Sequence, residues 1–513
     1  MADVAVVVNQ LDNVAVAKRA VSAGLQVKNS DGSTLELKSE IAPGNRFALR
    51  NIPMGEHVLQ YGQPIGTSRD IKRGEVVSPA NMANEVPTIR EVPDDLTTAA
   101  PDYIPAAQRK TFMGFRRADG RVGTRNFLLI VPTSMCASHE AMQISMLAEF
   151  TIYKRDRFPN VDGVSAIPHN KGCGCQDGLP VELLLRVLSN YADHPNVGGV
   201  ILLELGCEKT NLSVLENYLE RLGRKPNKPM VRIGIQQAGG TQGTIQAGLE
   251  AVEWMLPELN QSVRTPAPVS ELVLGVKCGG SDAFSGISAN PSLGCASDLL
   301  VRSGGTVLIT EVPEFCGAEH LLAQRAKDAA TARAVYNMVD WYKAYADQWG
   351  ADLEENPSPG NIAGGLLNIT IKSLGAIAKA GTTRVEGVTD YGIPPRERGL
   401  VLMQGPGYDQ ESTPGLVAAG ATVVVFTTGR GSTIGNAIAP VIKLASNNGV
   451  FQRMSGDLDL SAGDVLDGTA TIADVGARVF EHIRHVASGE VQAKAEIHKH
   501  REFQVWTKSA ISL

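Results

Sequence analysis

The chain has 513 residues, 43% hydrophobic and 20% charged, with 48 Lys and Arg against 54 Asp and Glu for a formal net charge of −6. That length calls for about three domains rather than one core. A near-neutral balance without blocks of like charge excludes an electrostatic footprint for nucleic acid, and no apolar run is long enough to span a membrane.

The opening MADVAVVVNQLDN has no basic segment ahead of its apolar run, so it is not a signal peptide and a cytoplasmic location is expected. Seven cysteines, at 136, 173, 175, 207, 278, 295 and 316, are odd in number and absent from both ends. They do not read as a secreted disulfide framework. Buried inert thiols are one expectation; metal ligation or redox chemistry is the other.

Residues 1–95 read as short strands broken by turns: VAVVV, LQVKN, STLELK, RFALRNI, HVLQYG and VPTIREV, with Gly, Pro, Asn or Asp between them. Residues 96–110 lie in a Pro-, Asp- and Thr-rich linker. From 111 to 260 the texture changes to α/β. Apolar strands at 127–133, 197–205 and 230–236 alternate with helices near 140–150, 179–192, 212–222 and 243–256, which argues for a parallel, doubly wound sheet. Residues 257–270 read as a second linker.

A third region, 268–513, repeats that texture, with strands at 272–276, 306–312, 399–403 and 421–427. A helical tract over about 318–349 carries Trp341, Tyr342, Tyr345 and Trp349, which read as packing surface. The tail from Ala493, with His498, His500, Phe503 and Trp506, reads as a docked segment. The fold class expected is therefore α/β: a small β-rich module followed by two α/β domains with largely parallel sheets.

Most of these strands end in groups capable of chemistry, and ligands of open α/β sheets sit at strand carboxyl ends. The strand at 127 leads to Ser134, Cys136 and His139, and that at 197 to Cys207, Glu208 and Lys209. The strand at 272 leads to Cys278, Ser281 and Asp282; that at 306 carries Thr310 and Glu311 and leads to Glu314. The last two lead to Asp409 and to Thr428-Gly-Arg430-Gly431. His169-Asn-Lys-Gly-Cys173-Gly-Cys175 has ligand-like residue types, because an imidazole four residues from a thiolate can reach one divalent ion. Without a second pair at finger spacing it is not a zinc motif. Arg430 among hydroxyls and glycines suits bidentate capture of a carboxylate. Neither a P-loop nor a dinucleotide fingerprint is present.

Several of these runs, in this order, resemble the altronate dehydratase / galactarate dehydratase family. They are Leu11-Asp-Asn-Val-Ala15, Arg117 to Asn126, Gly206-Cys-Glu208, Cys278-Gly-Gly-Ser-Asp282 with Ser285-Gly286 and Ala289-Asn-Pro291, Asn356 to Asn361, and Thr428 to Gly431. The piece from Ser68 to Met82 resembles the β-clip of the SAF superfamily. Two positions depart from the family pattern: Asn9 stands where a histidine is usual, and Lys171 where an aromatic is common.

The resemblance implies a metal-assisted hydro-lyase that converts a hexonate or hexarate to a 2-keto-3-deoxy acid, with Fe²⁺ or Mn²⁺ as the ion. It implies His169, Cys173, Cys207 and Cys278 as metal ligands, and His169, Glu208 and Lys209 as acid/base groups. Ser281, Asp282, Asn290, Asn361 and Arg430 would bind substrate. Four thiols meeting in the fold to hold an iron–sulfur cluster stay open, as do a lyase on a sulfonated acid and a non-catalytic sugar-acid-binding protein. A small-molecule sugar acid is the partner expected, together with a homo-oligomeric state.

Overall fold

The computed structural model describes residues 3–28, 33–221 and 228–508. Its α/β character is as expected, built on two separate parallel sheets. The first has four strands in the order Gly163–Ala166, Phe127–Pro132, Val197–Glu204, Met230–Gly234. The second has seven, in the order Val385–Thr389, Gly399–Met403, Thr306–Ile309, Val273–Cys278, Val423–Thr428, Val441–Ala445, Leu460–Ser461. All pairings in both are parallel. Every residue of Phe127–Pro132 and of Val423–Thr428 is buried. That explains why these strands read as continuous apolar runs: helices cover both faces of a parallel sheet.

Each sheet has one place where the chain reverses its direction of winding. In the first sheet it lies between the carboxyl ends of Phe127–Pro132 and Val197–Glu204. In the second it lies between Val273–Cys278 and Val423–Thr428. Such switch points open a crevice that ligands use.

The two segments read as linkers are more ordered than their composition suggests. Thr98 donates through Oγ1 to the Ala326 carbonyl at 2.7 Å and Ile104 through its N–H to that of Arg302 at 2.7 Å, so the 96–110 segment lies on the C-terminal region. Within 257–270 the helix Thr241–Leu259 continues past Pro257, and Thr265–Pro268 forms a strand antiparallel to Thr111–Arg116. The long helical tract is two helices, Glu319–Ala323 and Ala329–Gln348, because Asp328 caps the second by accepting the Thr331 N–H at 2.7 Å. Its aromatic residues do form packing surface: Trp341 stacks on Tyr345 with centroids 5.1 Å apart, and Trp506 from the tail stacks on Tyr342 at 6.1 Å. Residues 29, 222 and 509–513, parts of segments read as strand, helix and docked tail, lie outside the described residues. VPTIREV is not a strand, whereas 163–166, 385–389, 441–445 and 460–461 are strands that the pattern did not reveal.

The N-terminal module is a set of small antiparallel sheets. Strand Val14–Ala17 is buried along its whole length, pairing with Arg46–Ala48 and with Ala5–Val6. Its alternate residues go to different cores. Ala15, Ala17 and Phe47 pack within the module, whereas Val14 and Ala48 join the C-terminal domain's core. Val16 packs with Ala283, Phe284 and Ile287 of that domain. The module is therefore seated on the loop that follows Cys278.

Candidate active site

At the switch point of the seven-stranded sheet, Cys278 ends its strand with the thiol buried. Glu311 follows the next strand in a left-handed backbone conformation (φ 75°), rare for a residue with a side chain and a mark of sites that hold strain for a purpose. Its carboxylate turns back to accept the Cys278 N–H at 3.2 Å. Glu314 comes from the short turn Val312–Phe315, with Oε2 3.2 Å from Cys278 Sγ. The three donor atoms lie within 4.8 Å of one another, the one set of three His, Cys, Asp or Glu side chains among the described residues that could hold a metal ion.

Three lysines surround this set. Lys277, fully buried, pairs with Glu311 and, at 2.7 Å, with Asp409. Lys379 lies 2.7 Å from Glu311 and 3.0 Å from Cys278 Sγ. Lys372 meets Glu314 at 2.9 Å and Asn356 Oδ1 at 2.7 Å. Buried charges persist only when paired, and here three ammonium groups face three carboxylates. Burial works against the charge of Lys277, but Asp409 and Glu311 outweigh it and raise its pKa. Burial opposes Lys379 too, and Cys278 and Glu311 outweigh it. The two glutamates are pushed apart. Burial and Glu314 raise Glu311, whereas for Glu314 the effect of burial is exceeded by Lys372 and Lys379, down to about 2. Glu311 is thus the first of the pair to take a proton. Burial, then Glu311 and Glu314, push the Cys278 thiol up.

The donor chemistry fits a divalent ion: one sulfur and two carboxylates suit a borderline metal such as Fe²⁺ or Mn²⁺. The Lys379 ammonium, touching both Cys278 Sγ and Glu311, holds the kind of position a cation takes.

Around the mouth, Gly279 leaves no room for a side chain, since a Cβ there would lie 2.5 Å from Asp409 Oδ2 and from Phe426. Gly429 and Arg430 donate their N–H groups to the Gly280 carbonyl at 3.1 and 2.9 Å, locking the two strand-end loops together. Arg430 itself is exposed at the rim. Asn361 is nearby, donating to the Ser281 carbonyl at 2.9 Å and accepting from Lys372 at 3.4 Å. Asp282 is the knot of its loop: it accepts from the Ser285 N–H at 2.8 Å and from Ser446 Oγ at 3.0 Å. Asn290 donates to the Gly375 carbonyl at 2.9 Å and accepts from Thr427 Oγ1 at 2.6 Å. In this arrangement both shape the crevice wall. Ser281 Oγ is buried without a hydrogen-bond partner.

The residues from the second domain gather at their own switch point. Glu208 fills that crevice: it accepts from Thr133 Oγ1 at 2.7 Å, Ser134 Oγ at 3.3 Å and the N–H groups of Leu205, Gly206 and Cys207 at 2.7–2.9 Å. Burial resists its charge, but the Thr133 hydroxyl and Gly206 N–H hold it ionised, below the ordinary glutamate value. His169 is buried, its Nε2 3.0 Å from the Pro132 carbonyl and its Nδ1 accepting the Lys171 N–H at 3.2 Å. Burial lowers its pKa to about 4. With both ring nitrogens engaged it has no lone pair to offer an ion. Cys173 and Cys207 are exposed, and Lys209 pairs with Asp177 at 3.0 Å. None of His169, Cys173 and Cys207 joins Cys278 in one ligand set among the described residues. Between the two regions, Lys171 acts electrostatically on Glu411 of helix Asp409–Ala418, the helix whose Asp409 pairs with Lys277.

A cavity of about 700 Å³ lies elsewhere, between residues 84–89 and the segments that carry Cys316–His320 and Lys343–Glu354. None of Cys278, Glu311 or Glu314 lines it.

Family models cover most of the chain. One described as the altronate/galactarate dehydratase SAF domain matches residues 3–85. Another, D-galactarate dehydratase/altronate hydrolase, second domain, matches 114–260, and D-galactarate/altronate dehydratase, C-terminal, matches 269–511. The chain is 34% identical to altronate dehydratase of Bacillus subtilis over 94% of its own length and 95% of the relative's. It is 37% identical to galactarate dehydratase (L-threo-forming) of Escherichia coli over 94% and 92%. It is also 34% identical to the beta subunit of (2R)-sulfolactate sulfo-lyase of Chromohalobacter salexigens, over 77% of this chain and 96% of that one. The chain belongs to the altronate/galactarate dehydratase family of sugar-acid hydro-lyases.

Proposed function

We propose that this protein removes water from a six-carbon sugar acid, a hexonate or hexarate of the altronate or galactarate type, giving a 2-keto-3-deoxy acid. The observation that carries this reading is the meeting of Cys278, Glu311 and Glu314 with three lysines at the switch point of the larger sheet. Removing a proton α to an ionised carboxylate builds negative charge on that carboxylate, and the reaction needs fixed positive charge beside it.

In this reading Arg430 and Lys372 hold the substrate carboxylate at the crevice mouth, and Asn361 orients the chain of hydroxyls. Asp409, with 27% of its side chain exposed, is the carboxylate best placed to meet a substrate proton. Lys277 bridges it to Glu311, one ammonium held between the carboxylate at the mouth and the buried set. Cys278, Glu311 and Glu314 would hold a divalent ion, Fe²⁺ or Mn²⁺, whose chemistry when bound is Lewis-acid stabilisation of the developing enediolate. His169, Glu208 and Lys209 support the facing wall.

A second reading, a lyase on a sulfonated acid, draws on the sulfo-lyase relative alone. Metal-replete protein prepared without oxygen, offered altronate, galactarate and sulfolactate in parallel, separates the two. Formation of 2-keto acid from either sugar acid supports dehydration; sulfite release as the sole product replaces it with the second reading. Ligand-induced stabilisation without turnover on any of the three would refute both.

A further inference from the structure

The N-terminal module carries a charge that no carboxylate among the described residues balances. Arg46 is fully buried, yet its guanidinium makes a single hydrogen bond, from Nε to Gln60 Oε1 at 2.7 Å. Nη1 and Nη2 have no partner. Beside it, Gln60 Nε2 and the Tyr61 hydroxyl are likewise buried and unpartnered. No carboxylate among the described residues pairs with Arg46. The two acidic groups that act on the neighbouring Tyr61 are committed elsewhere: Asp12 accepts the N–H groups of Asn9 and Gly62 at 2.9 and 2.8 Å, and Asp282 is tied to Ser285 and Ser446.

Four buried donors without an acceptor are not a normal interior, where nearly every such group is satisfied. A guanidinium does not escape by losing its proton. The set is also aimed. Arg46 stands directly opposite Val16 in the antiparallel pair, hence on the same face, and Val16 is the residue that packs on Ala283, Phe284 and Ile287. Tyr61 sits at the tip of the hairpin formed by His57–Gln60 and Gln63–Ser68, with φ at 60°. Its hydroxyl would be 2.5 Å from a Cβ on Gly286, so a side chain there would displace it, and it lies in contact range of Gly375. The LDN run builds this tip: Asp12 holds the Gly62 N–H, and Asn13 accepts the Leu59 N–H at 2.7 Å and donates to the His57 carbonyl at 2.9 Å.

We propose that Arg46, Gln60 and Tyr61 form an oxyanion site for a carboxylate, on the face of the N-terminal module that covers the loop after Cys278. The planar fork of Arg46 matches the two oxygens of a carboxylate, and Gln60 Nε2 and Tyr61 OH supply further donors. The site is closed to solvent, so the anion enters as the module seats. Its source is either a carboxylate of the substrate or a free carboxylate that stabilises the seated module. The inference stands on unpaired donors and does not depend on which reaction the crevice performs.

The test uses the full chain with acetate as probe against chloride at equal ionic strength, and with galactarate in a second arm. Crystals grown in each should show a carboxylate within hydrogen-bond reach of both Arg46 Nη atoms. In solution, acetate should raise the melting temperature of wild type, and Arg46→Met should weaken that response at least tenfold, with Arg46→Lys between. Acetate that raises KM for galactarate without changing kcat assigns the site to a substrate carboxylate; stabilisation without competition assigns it to a free anion. Water alone at Arg46 in both crystals would overturn the proposal, whether or not the variants fold. So would acetate bound in the crystal that produces no response in solution.

Discussion

Two switch points in one chain present nearly the same vocabulary, a carboxylate, a thiol, a lysine and hydroxyls at strand ends, and use it differently. In the four-stranded sheet, Glu208 lies across the crevice with five hydrogen bonds to it, and the space where a ligand would sit holds the chain's own carboxylate. In the seven-stranded sheet, carboxylates meet ammonium groups, and a backbone N–H, that of Cys278, reaches only Glu311. A carboxylate wrapped by backbone donors is fixed in one state and builds a turn. One balanced against buried lysines shares its charge with groups that can themselves gain or lose a proton, and that is what acid/base chemistry requires.

The sharpest way to break this contrast is Glu311→Gln, which removes one charge and keeps the shape. It should lower kcat for 2-keto acid formation by about 10³-fold, within the range for loss of an acid/base group. A variant that stays within threefold of wild type would move the chemistry out of this crevice. Next, Cys278→Ser should weaken binding of Mn²⁺ by about 100-fold, measured as bound metal after equilibrium dialysis, while His169→Gln keeps wild-type metal content. The reverse pattern would return the ion to the second domain.

Glu208→Gln tests the other half. It should cost about 1–3 kcal/mol of stability in denaturant unfolding and leave kcat of the folded enzyme within threefold. The sign follows from its lowered pKa. The stabilisation is complete above the unfolded carboxyl value, about 4.3, and is lost as pH falls through the folded value, so variant and wild type should converge in acid. Arg430→Ala should raise KM about tenfold with little change in kcat, as expected for an exposed residue that binds the carboxylate in ground and transition states alike. The smallest effect concerns His169. Neutral in the fold down to about pH 4, it costs nothing above its unfolded value near 6.5. Stability then falls with pH between those limits, by about 1 kcal/mol at pH 6. His169→Gln should flatten that part of the acid limb.

Much of the fold was legible because buried parallel strands are continuous apolar runs, and their ends advertise themselves with Gly and polar groups. Cys278, Glu311, Glu314 and Asp409 were all visible that way. The lysines were not. Lys277 sits one residue inside a strand end, and Lys379 lies in an apolar stretch about a hundred residues later, in contact only through the fold. Each did carry a signal, since a lone lysine within an apolar run cannot stay buried unpaired. His169 shows the limit of spacing: it suited a metal, but spacing along the chain does not say that backbone groups engage both ring nitrogens. Short strands such as Gly163–Ala166 were missed because four residues, two of them Gly and Ser, give no period to read.

Strand Val14–Ala17 has no wet side: its odd-numbered residues close the module's own core, and its even-numbered residues pack against the C-terminal domain in two clusters. A module built this way carries an adhesive surface as a permanent part of its architecture. Cutting the backbone within 86–110 would leave two pieces, each exposing apolar area that only the other fits, so co-expressed halves should reassociate and recover activity in trans, while either half alone should be prone to self-association.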